Sequence, residues 1–369
     1  MTSFHYVGYF QRMMKTNDWM KIEALAAQAL RSVFAEVPAI ERLDVKYAGD
    51  RDRVDFIVEI DVFGRKYRLA AEVKSTGQPR HVRSAIMQLQ SYVKSQPDPV
   101  TPIFIAPYLS PEAQDICREH RVGYLDLEGN ARLAFGTFFI SRQVASKPVV
   151  VRRDLRSIFS PKSAQILRQM LRDPDRSWRV VDLAEAAEAS LGLVSKIRKA
   201  LIDREWAKVS DDGVLLSAPD SVLDAWVKEY APPPHDRAGF YTTLHGSSLD
   251  QAVRALLSDP ACKGKIALAS FSAAQWLAPY GRTGKHYFYA DEEGINSLRS
   301  ALKLTSANKG ENIIVDVLDD PGLLLDTVEP APGIICTSPV QTYLDLSNYG
   351  ERGQEAAEHL RREKLRWMK

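Results

Sequence analysis

The stretch "RVDFIVEIDVFGRKYRLAAEVKS", residues 53–75, constrains the fold more than any other part of the chain. Polar and apolar residues alternate through two runs joined at Phe-Gly-Arg, the pattern of two amphipathic strands around a tight turn. Val54, Phe56, Val58, Ile60 and Val62 share one face, which reads as core, and Asp55, Ile57, Glu59 and Asp61 share the other. On the returning strand Tyr67, Leu69, Ala71 and Val73 form the apolar set, opposite Lys66, Arg68, Ala70, Glu72 and Lys74. With Gly64-Arg65 as a two-residue turn, Phe63 faces Lys66, Asp61 faces Arg68 and Asp55 lands across from Lys74, with Glu72 on the diagonal. One small patch then holds an Asp, a Glu and a Lys.

Such a patch has two readings. Two carboxylates can hold Mg²⁺, a hard cation that takes oxygen ligands, while a lysine steadies developing negative charge in phosphodiester hydrolysis. Alternatively the same residues make cross-strand ion pairs on a solvated sheet face, at a few tenths of a kcal/mol each. The following segment, "RHVRSAIMQLQSYVKS", reads as a helix with Val82, Ala85, Ile86, Leu89 and Val93 as its core stripe. Gln88 and Tyr92, four residues apart, lie together beside that stripe. In this order, Asp55, then Glu72-Val73-Lys74, then Gln88 through Tyr92, the sequence resembles the PD-(D/E)xK nuclease superfamily over about residues 15–140, with Glu23 as a fourth acidic position. The resemblance implies that Asp55 and Glu72 bind metal, that Lys74 assists catalysis, and that Gln88 and Tyr92 line the site. That superfamily also contains members that only bind DNA, so the residue set alone does not establish turnover.

At 369 residues the chain calls for two or three domains, and two joints divide it. One is the basic "VVVRRDLRS" at 149–157; the other is "YAPPPHDRAG" at 230–239, whose prolines can neither continue a helix nor enter a central strand. The blocks are 1–150, an α/β domain with a mixed sheet; 155–220, mostly helical and ending in a hairpin; and 236–369, alternating helix and strand. Strands are expected at about 42–48, 54–62 and 66–74, a helix at about 80–95, then "TPIFIAP", the helix "SPEAQDICREH", and the pair "VGYLDL" and "ARLAF". Asp126 and Glu128 in "GYLDLEGNARL" read as turn residues rather than catalytic ones. Apolar runs fall short of the ~20 residues of a membrane span, and the N-terminus lacks the order of a secretory signal, so a cytoplasmic protein without a membrane partner is expected. Cys117, Cys262 and Cys336 are too far apart for a metal motif and read as core thiols. A net charge of only +2 leaves nucleic-acid binding to local patches.

The middle block supplies such a patch. Helices are expected at about 161–172, with Ile166, Leu167 and Leu171 inward, and about 180–188, with Val181, Leu183 and Ala184. A third, capped by Ser190, has Leu193, Ile197 and Leu201 on its buried face and Ser195, Lys196, Arg198 and Lys199 on the others. "AKVSDDGVLLS" follows as strand, turn and strand. Helix, helix, helix and hairpin over about 158–217 resemble a winged helix-turn-helix domain, which implies that Ser190, Ser195, Lys196, Arg198 and Lys199 contact double-stranded DNA. A recognition helix must bury one face and offer hydroxyls and cations to the groove, and these residues are spaced to do so. An ordinary amphipathic helix with a charged surface has the same periodicity. Symmetric dimers are the common arrangement for such readers, so a homodimer is expected.

In the last block "LHGSS", 244–248, faintly resembles the Gly-Ser start of nucleotidyltransferases, but no Asp-x-Asp follows at the distance such an enzyme needs; Asp316 can mimic a later carboxylate, and an inactive nucleotidyltransferase-like fold is the expectation. His245 and His286 receive no role. The ending "SPVQTYLDLSNYGERGQEAAEHLRRE" resembles the nucleotidyltransferase-like C-terminal domain of abortive-infection antitoxins of the type IV class, over about 155–369. That resemblance implies transcriptional repression and a toxin partner, while the nuclease-like block in front departs from the pattern. The whole is expected to be an α/β multidomain protein: a restriction-endonuclease-like domain, a winged helix-turn-helix and an α/β C-terminal domain. Transcription regulation through the winged helix ranks first, a Mg²⁺-dependent DNA endonuclease second and an antitoxin-like partner of a toxin third.

Overall fold

The computed structural model describes residues 4–49, 53–144, 155–233, 235–281, 283–307 and 309–367. The chain is mixed α/β and divides into two compact units, Met1–Arg153 with Asp203–Glu205, and Asp154–Ile202 with Trp206–Lys369. Most of the basic joint at 149–157 lies outside the described residues. Among the described residues no helix is long and apolar enough to cross a membrane.

The first unit runs α1 (Phe4–Ala35), β1 (Ile40–Tyr47), β2 (Phe56–Val62), β3 (Arg65–Val73), α2 (Pro79–Ser95), β4 (Val100–Ala106), α3 (Pro111–Glu119), β5 (Gly123–Asp126), β6 (Ala131–Phe135) and β7 (Phe138–Arg142). Its seven strands lie side by side in chain order. Pairings are antiparallel except β3 with β4 and β4 with β5, where α2 and α3 form the crossovers that parallel strands require. The sheet is buried on both faces. Phe56, Val58, Ile60 and Val62 pack with Ala26, Leu30 and Phe34 of α1, while Ile57 and Ala70 pack with Val82, Ile86 and Leu89 of α2. The face that alternation assigns to solvent is therefore largely covered, because a parallel strand pair brings its helices with it. Strand β7 went unanticipated; it returns from β6 through Gly136, which has φ 54°.

The hairpin register differs from the expected one by two residues. Val62 pairs with Arg65, Glu59 with Arg68 and Phe56 with Ala71, so the turn is Phe63-Gly64 and not Gly64-Arg65. Both turn residues have positive φ, 49° and 69°, the backbone of a type I′ turn, which Gly64 accepts without strain. An even shift leaves every side chain on its own face, so the hydrophobic pattern could not choose between the registers. The consequence is at the far end: Asp55 N–H donates to Ala71 O, and Asp55 lies beside Glu72 rather than across from Lys74.

The second unit begins with α4 (Pro161–Arg172), α5 (Val180–Ala186), α6 (Leu191–Asp203), β8 (Ala207–Ser210), β9 (Gly213–Leu216) and α7 (Pro219–Glu229). It continues β10 (His235–Tyr241), α8 (Gly246–Leu257), β11 (Ile266–Leu268), α9 (Ser270–Leu277), β12 (His286–Ala290), α10 (Glu292–Ala301), β13 (Thr305–Ser306), β14 (Ile313–Leu318), β15 (Thr327–Ala331), β16 (Ile334–Thr337), α11 (Pro339–Ser347) and α12 (Gly350–Lys364). The strands from β10 onward form one mixed sheet in the order β13-β10-β14-β12-β11-β16-β15. One continuous apolar cluster joins the helical part to the sheet, holding Leu167, Ile197 and Trp226 together with Phe240, Phe288 and Leu344. Arg361 of α12 pairs with Asp220 and Asp224 of α7 at 2.7 and 2.6 Å.

Candidate functional site

Two places collect the residues that the sequence singles out. In the first unit, α1, the end of β1, the residues leading into β2, strand β3 and helix α2 border a cavity of about 730 Å³, lined among others by Glu23, Arg53, Asp55, Glu72 and Gln88. Asp55 sits where the chain bends into β2, and its Oδ2 accepts from Val73 N–H at 2.6 Å. Glu72 is 4% exposed. Its Oε1 receives Lys74 Nζ at 2.5 Å, an i,i+2 contact along one face of β3. Burial raises the Asp55 carboxyl above its ordinary value, offset by the Val73 N–H and then by the charge of Lys74. Burial likewise raises Glu72; the Lys74 hydrogen bond opposes this, and the neighbouring charge of Asp55 adds to it.

Asp55, Glu72, Lys74 and Gln88 thus come together, and the solvated-face alternative does not describe Glu72. Tyr92 departs from the expectation. It is packed in the core beside Ile86 and Leu89, and its hydroxyl meets Arg68 Nη2 at 3.5 Å, because at this turn of α2 the cavity side belongs to Ser91 and Tyr92 falls on the covered side. Ser91 and Met87 take the lining positions beside Gln88. Arg53, one residue before the strand pattern begins, was missed. Among the described residues no group of three or more His, Cys, Asp and Glu side chains is placed to hold a metal ion. The pair Asp55 and Glu72 fits a hard divalent cation on chemical grounds: two desolvated carboxylates that repel each other are the oxygen donors Mg²⁺ takes, with water and phosphate completing its shell.

Asp126, by contrast, is a fold residue. It is buried and accepts from Leu109 N, Glu128 N, Asn130 N and Asn130 Nδ2, which ties the β5–β6 turn to the end of β4.

In the second unit α4, α5 and α6 precede the β8–β9 hairpin in the expected order. Ser190 Oγ accepts from Leu193 N–H at 3.2 Å and caps α6. The inward residues of α6 are Val194, Ile197 and Leu201; Leu193 is only half-buried. A 3-4 spacing beginning at Val194 follows the helix stripe better than the 4-4 spacing from Leu193. On α5 Leu183 and Ala184 are buried, and Val181 is exposed. Ser195, Lys196 and Lys199 are exposed, Arg198 is half-buried, and Ser190 is exposed at the helix start. The hairpin pairs Ser210 with Gly213 around Asp211-Asp212 and carries an exposed Lys208, which the sequence pattern did not single out. Gly213 has φ 146°, and a Cβ there would meet Trp178 O at 2.2 Å, because Trp178 and Val214 exchange both backbone hydrogen bonds. The hairpin is thereby pinned to the segment between α4 and α5.

In the last part of the chain Asp316 is held by Arg237 through Nε at 2.7 Å and Nη2 at 2.9 Å. That bidentate pair on adjacent strands accounts for it structurally. His245 Nδ1 lies 3.0 Å from Thr243 O. Burial lowers His286 below its ordinary value. The three cysteines are free and buried.

No protein-family model matches the chain, and no match is found among curated proteins or solved structures.

Proposed function

We propose that this protein binds double-stranded DNA through α6 and the β8–β9 hairpin and regulates transcription. The supporting observation is the surface of α6. Three apolar residues fix it to its scaffold, a serine caps its start, and Ser195, Lys196 and Lys199 stand exposed on the outward side. Arg198 and Lys208 flank them. Phosphate contacts from such cations supply most of the affinity, and the hydroxyls with Arg198 are the groups that read base edges. The rest of the second unit gives α6 a rigid support, and a second copy of the chain would present the same helix to a second half-site. The test is fluorescence anisotropy with promoter-containing duplexes. The double variant Lys196→Ala, Lys199→Ala should weaken binding about tenfold or more; unchanged affinity would remove α6 from the interface.

The cavity at Asp55 and Glu72, with Lys74 held on Glu72, favours a second reading, metal-dependent cleavage of the bound DNA. Asp55 and Glu72 would hold Mg²⁺, which would supply Lewis-acid stabilisation of a phosphoryl oxygen. Lys74, fixed on Glu72, would place a cation at the developing negative charge, and Arg53 and Gln88 would orient the strand. Plasmid incubated with Mg²⁺ or Mn²⁺, and separately with EDTA, tests this. Nicking that needs metal and is lost in Lys74→Ala supports it; intact plasmid under both conditions leaves DNA binding alone.

A further inference from the structure

The second unit also encloses a polar floor away from the outward surface of α6. A cavity of about 540 Å³ opens between α4, the end of α7 with the segment that follows it, and α11. One wall is aromatic: Phe159 and Trp226 stack with centroids 5.5 Å apart and planes 13° apart. The floor is made of side chains that are almost wholly buried, Gln165 at 4%, Arg168 at 5% and Gln341 at 2% exposure. Arg168 Nη1 donates to Gln341 Oε1 at 3.1 Å. Its Nε has no hydrogen-bond partner among the described residues, and neither has Gln165 Oε1. Arg168 Nε has Asp326 within ion-pair reach, but leaving the Gln165 oxygen buried and unpaired costs about 1–3 kcal/mol, so its place at the cavity floor needs a reason.

Charge points to the class of molecule that supplies it. Asp326 is the acid nearest Arg168, but only at 3.8 Å from Nε, and its Oδ1 is engaged by Arg172 at 2.6 Å. Asp345 lies behind the floor, where Tyr230, Tyr289 and Gln341 hold it. At the rim, Glu229 is matched by Arg156 at 3.8 Å and Asp320 by Lys162 at 3.2 Å, while Lys228 adds a further cation. Burial lowers Arg168 from its ordinary value against the opposing charges of Asp326 and Asp345, and among the lining residues the cations Arg156, Arg168 and Lys228 outnumber the acids Glu229 and Asp320.

We infer that this cavity binds a small aromatic anion, its ring against Phe159 and Trp226 and its acidic group, carboxylate or phosphate, on Arg168, with Gln165 Oε1 taking a donor from the ligand. The volume suits a molecule of one or two rings. Because Gln165 and Arg168 belong to α4, the first helix of the α4–α6 bundle, an occupant contacts the scaffold of α6 directly, the arrangement of an effector site. The binding step itself does not depend on whether α6 reads DNA.

Isothermal titration calorimetry on the full chain with benzoate and with phenyl phosphate as probes tests the inference, with benzyl alcohol as the neutral control. Saturable binding of at least one anion is expected, at least about tenfold tighter than the alcohol. Arg168→Gln should abolish that preference. Since Arg168 is buried and its loss can unfold the unit, Ala164→Phe, which narrows the cavity, and Gln165→Met are measured beside it, with circular dichroism as the folding check. Each should weaken anion binding several-fold in a folded protein. Preference of carboxylate over phosphate, or the reverse, identifies the acidic group. No saturable binding of either anion up to about 20 mM, equal binding of the alcohol, or binding indifferent to all three substitutions would overturn the inference.

Discussion

Asp345 offers a quantitative test of the packing in the second unit. It is 5% exposed on α11, and Tyr230 Oη, Gln341 Nε2 and Tyr289 Oη donate to its Oδ1 at 2.6, 2.8 and 3.1 Å. Its Oδ2 has no hydrogen-bond partner among the described residues. Burial outweighs the three donors and pushes the carboxyl from 3.8 up to about 6. At about 1.4 kcal/mol per tenfold change in proton affinity, that displacement amounts to about 3 kcal/mol of stability linked to protonation. The folded state keeps a proton that the unfolded state has released between pH 4 and 6, so the contribution is complete below about pH 4 and is lost as pH rises through about 6. Asp345→Asn cannot titrate. Its amide oxygen still accepts from Tyr230 and Gln341, while its Nδ2 takes the place of an unpaired oxygen at a pH-independent cost of about 1–3 kcal/mol. The diagnostic is thus the slope and not the offset. Urea-dependent loss of amide protection in α11, followed by hydrogen exchange in both proteins from about pH 4 to 7, reads it. The wild type should lose about 2–2.5 kcal/mol relative to the variant over that interval, since part of the full contribution is already gone at pH 4. A constant difference would mean that Asp345 is charged throughout, and the burial argument would fail.

Three further outcomes follow from particular side chains. Lys74→Ala leaves Glu72 buried beside Asp55 without its counter-charge, and because Lys74 is one-quarter exposed the destabilisation should be about 1–3 kcal/mol in urea unfolding; adding Glu72→Gln should recover most of it, and a purely additive pair would contradict the coupling. Gly213→Ala drives a Cβ into Trp178 O and forces positive φ on alanine, so the hairpin should detach at a cost of more than about 2 kcal/mol, visible as faster exchange at Val214. Ser190→Ala removes the cap of α6 at about 1 kcal/mol, read as increased exchange at Leu193 with the β10–β16 sheet unaffected.

The carboxylate site was legible because its residues are separated by even steps along strands, which survive a register error of two. Asp55, Glu72 and Lys74 converge, although through a Phe63-Gly64 turn that places Asp55 beside the other acid. Only the φ values at the turn distinguish the two registers, and a sequence containing Phe-Gly-Arg permits either. Tyr92 was misplaced because helical adjacency to Gln88 does not settle which side of that stripe is covered: Ser91 lines the cavity, and Tyr92, one residue on, turns into the core. On α6 Lys196 and Lys199 lie exposed and Arg198 half-buried, while the inward stripe was off by one position, Val194 for Leu193. The cavity over Arg168 was invisible, since its lining comes from segments separated by more than a hundred residues, as in the Arg168–Gln341 bond, which no local periodicity encodes.

The proposal that α6 reads DNA is tested most directly by the salt dependence of binding. Anisotropy titrations of the full chain on a promoter duplex, from about 50 to 200 mM salt, should give a steep negative slope of log affinity against log salt. Replacing Lys196 or Lys199 by alanine should each make that slope shallower by about 0.9, the signature of one phosphate no longer neutralised by the protein. A slope unchanged in both variants, with binding retained, would place the DNA elsewhere on the protein and contradict the proposal.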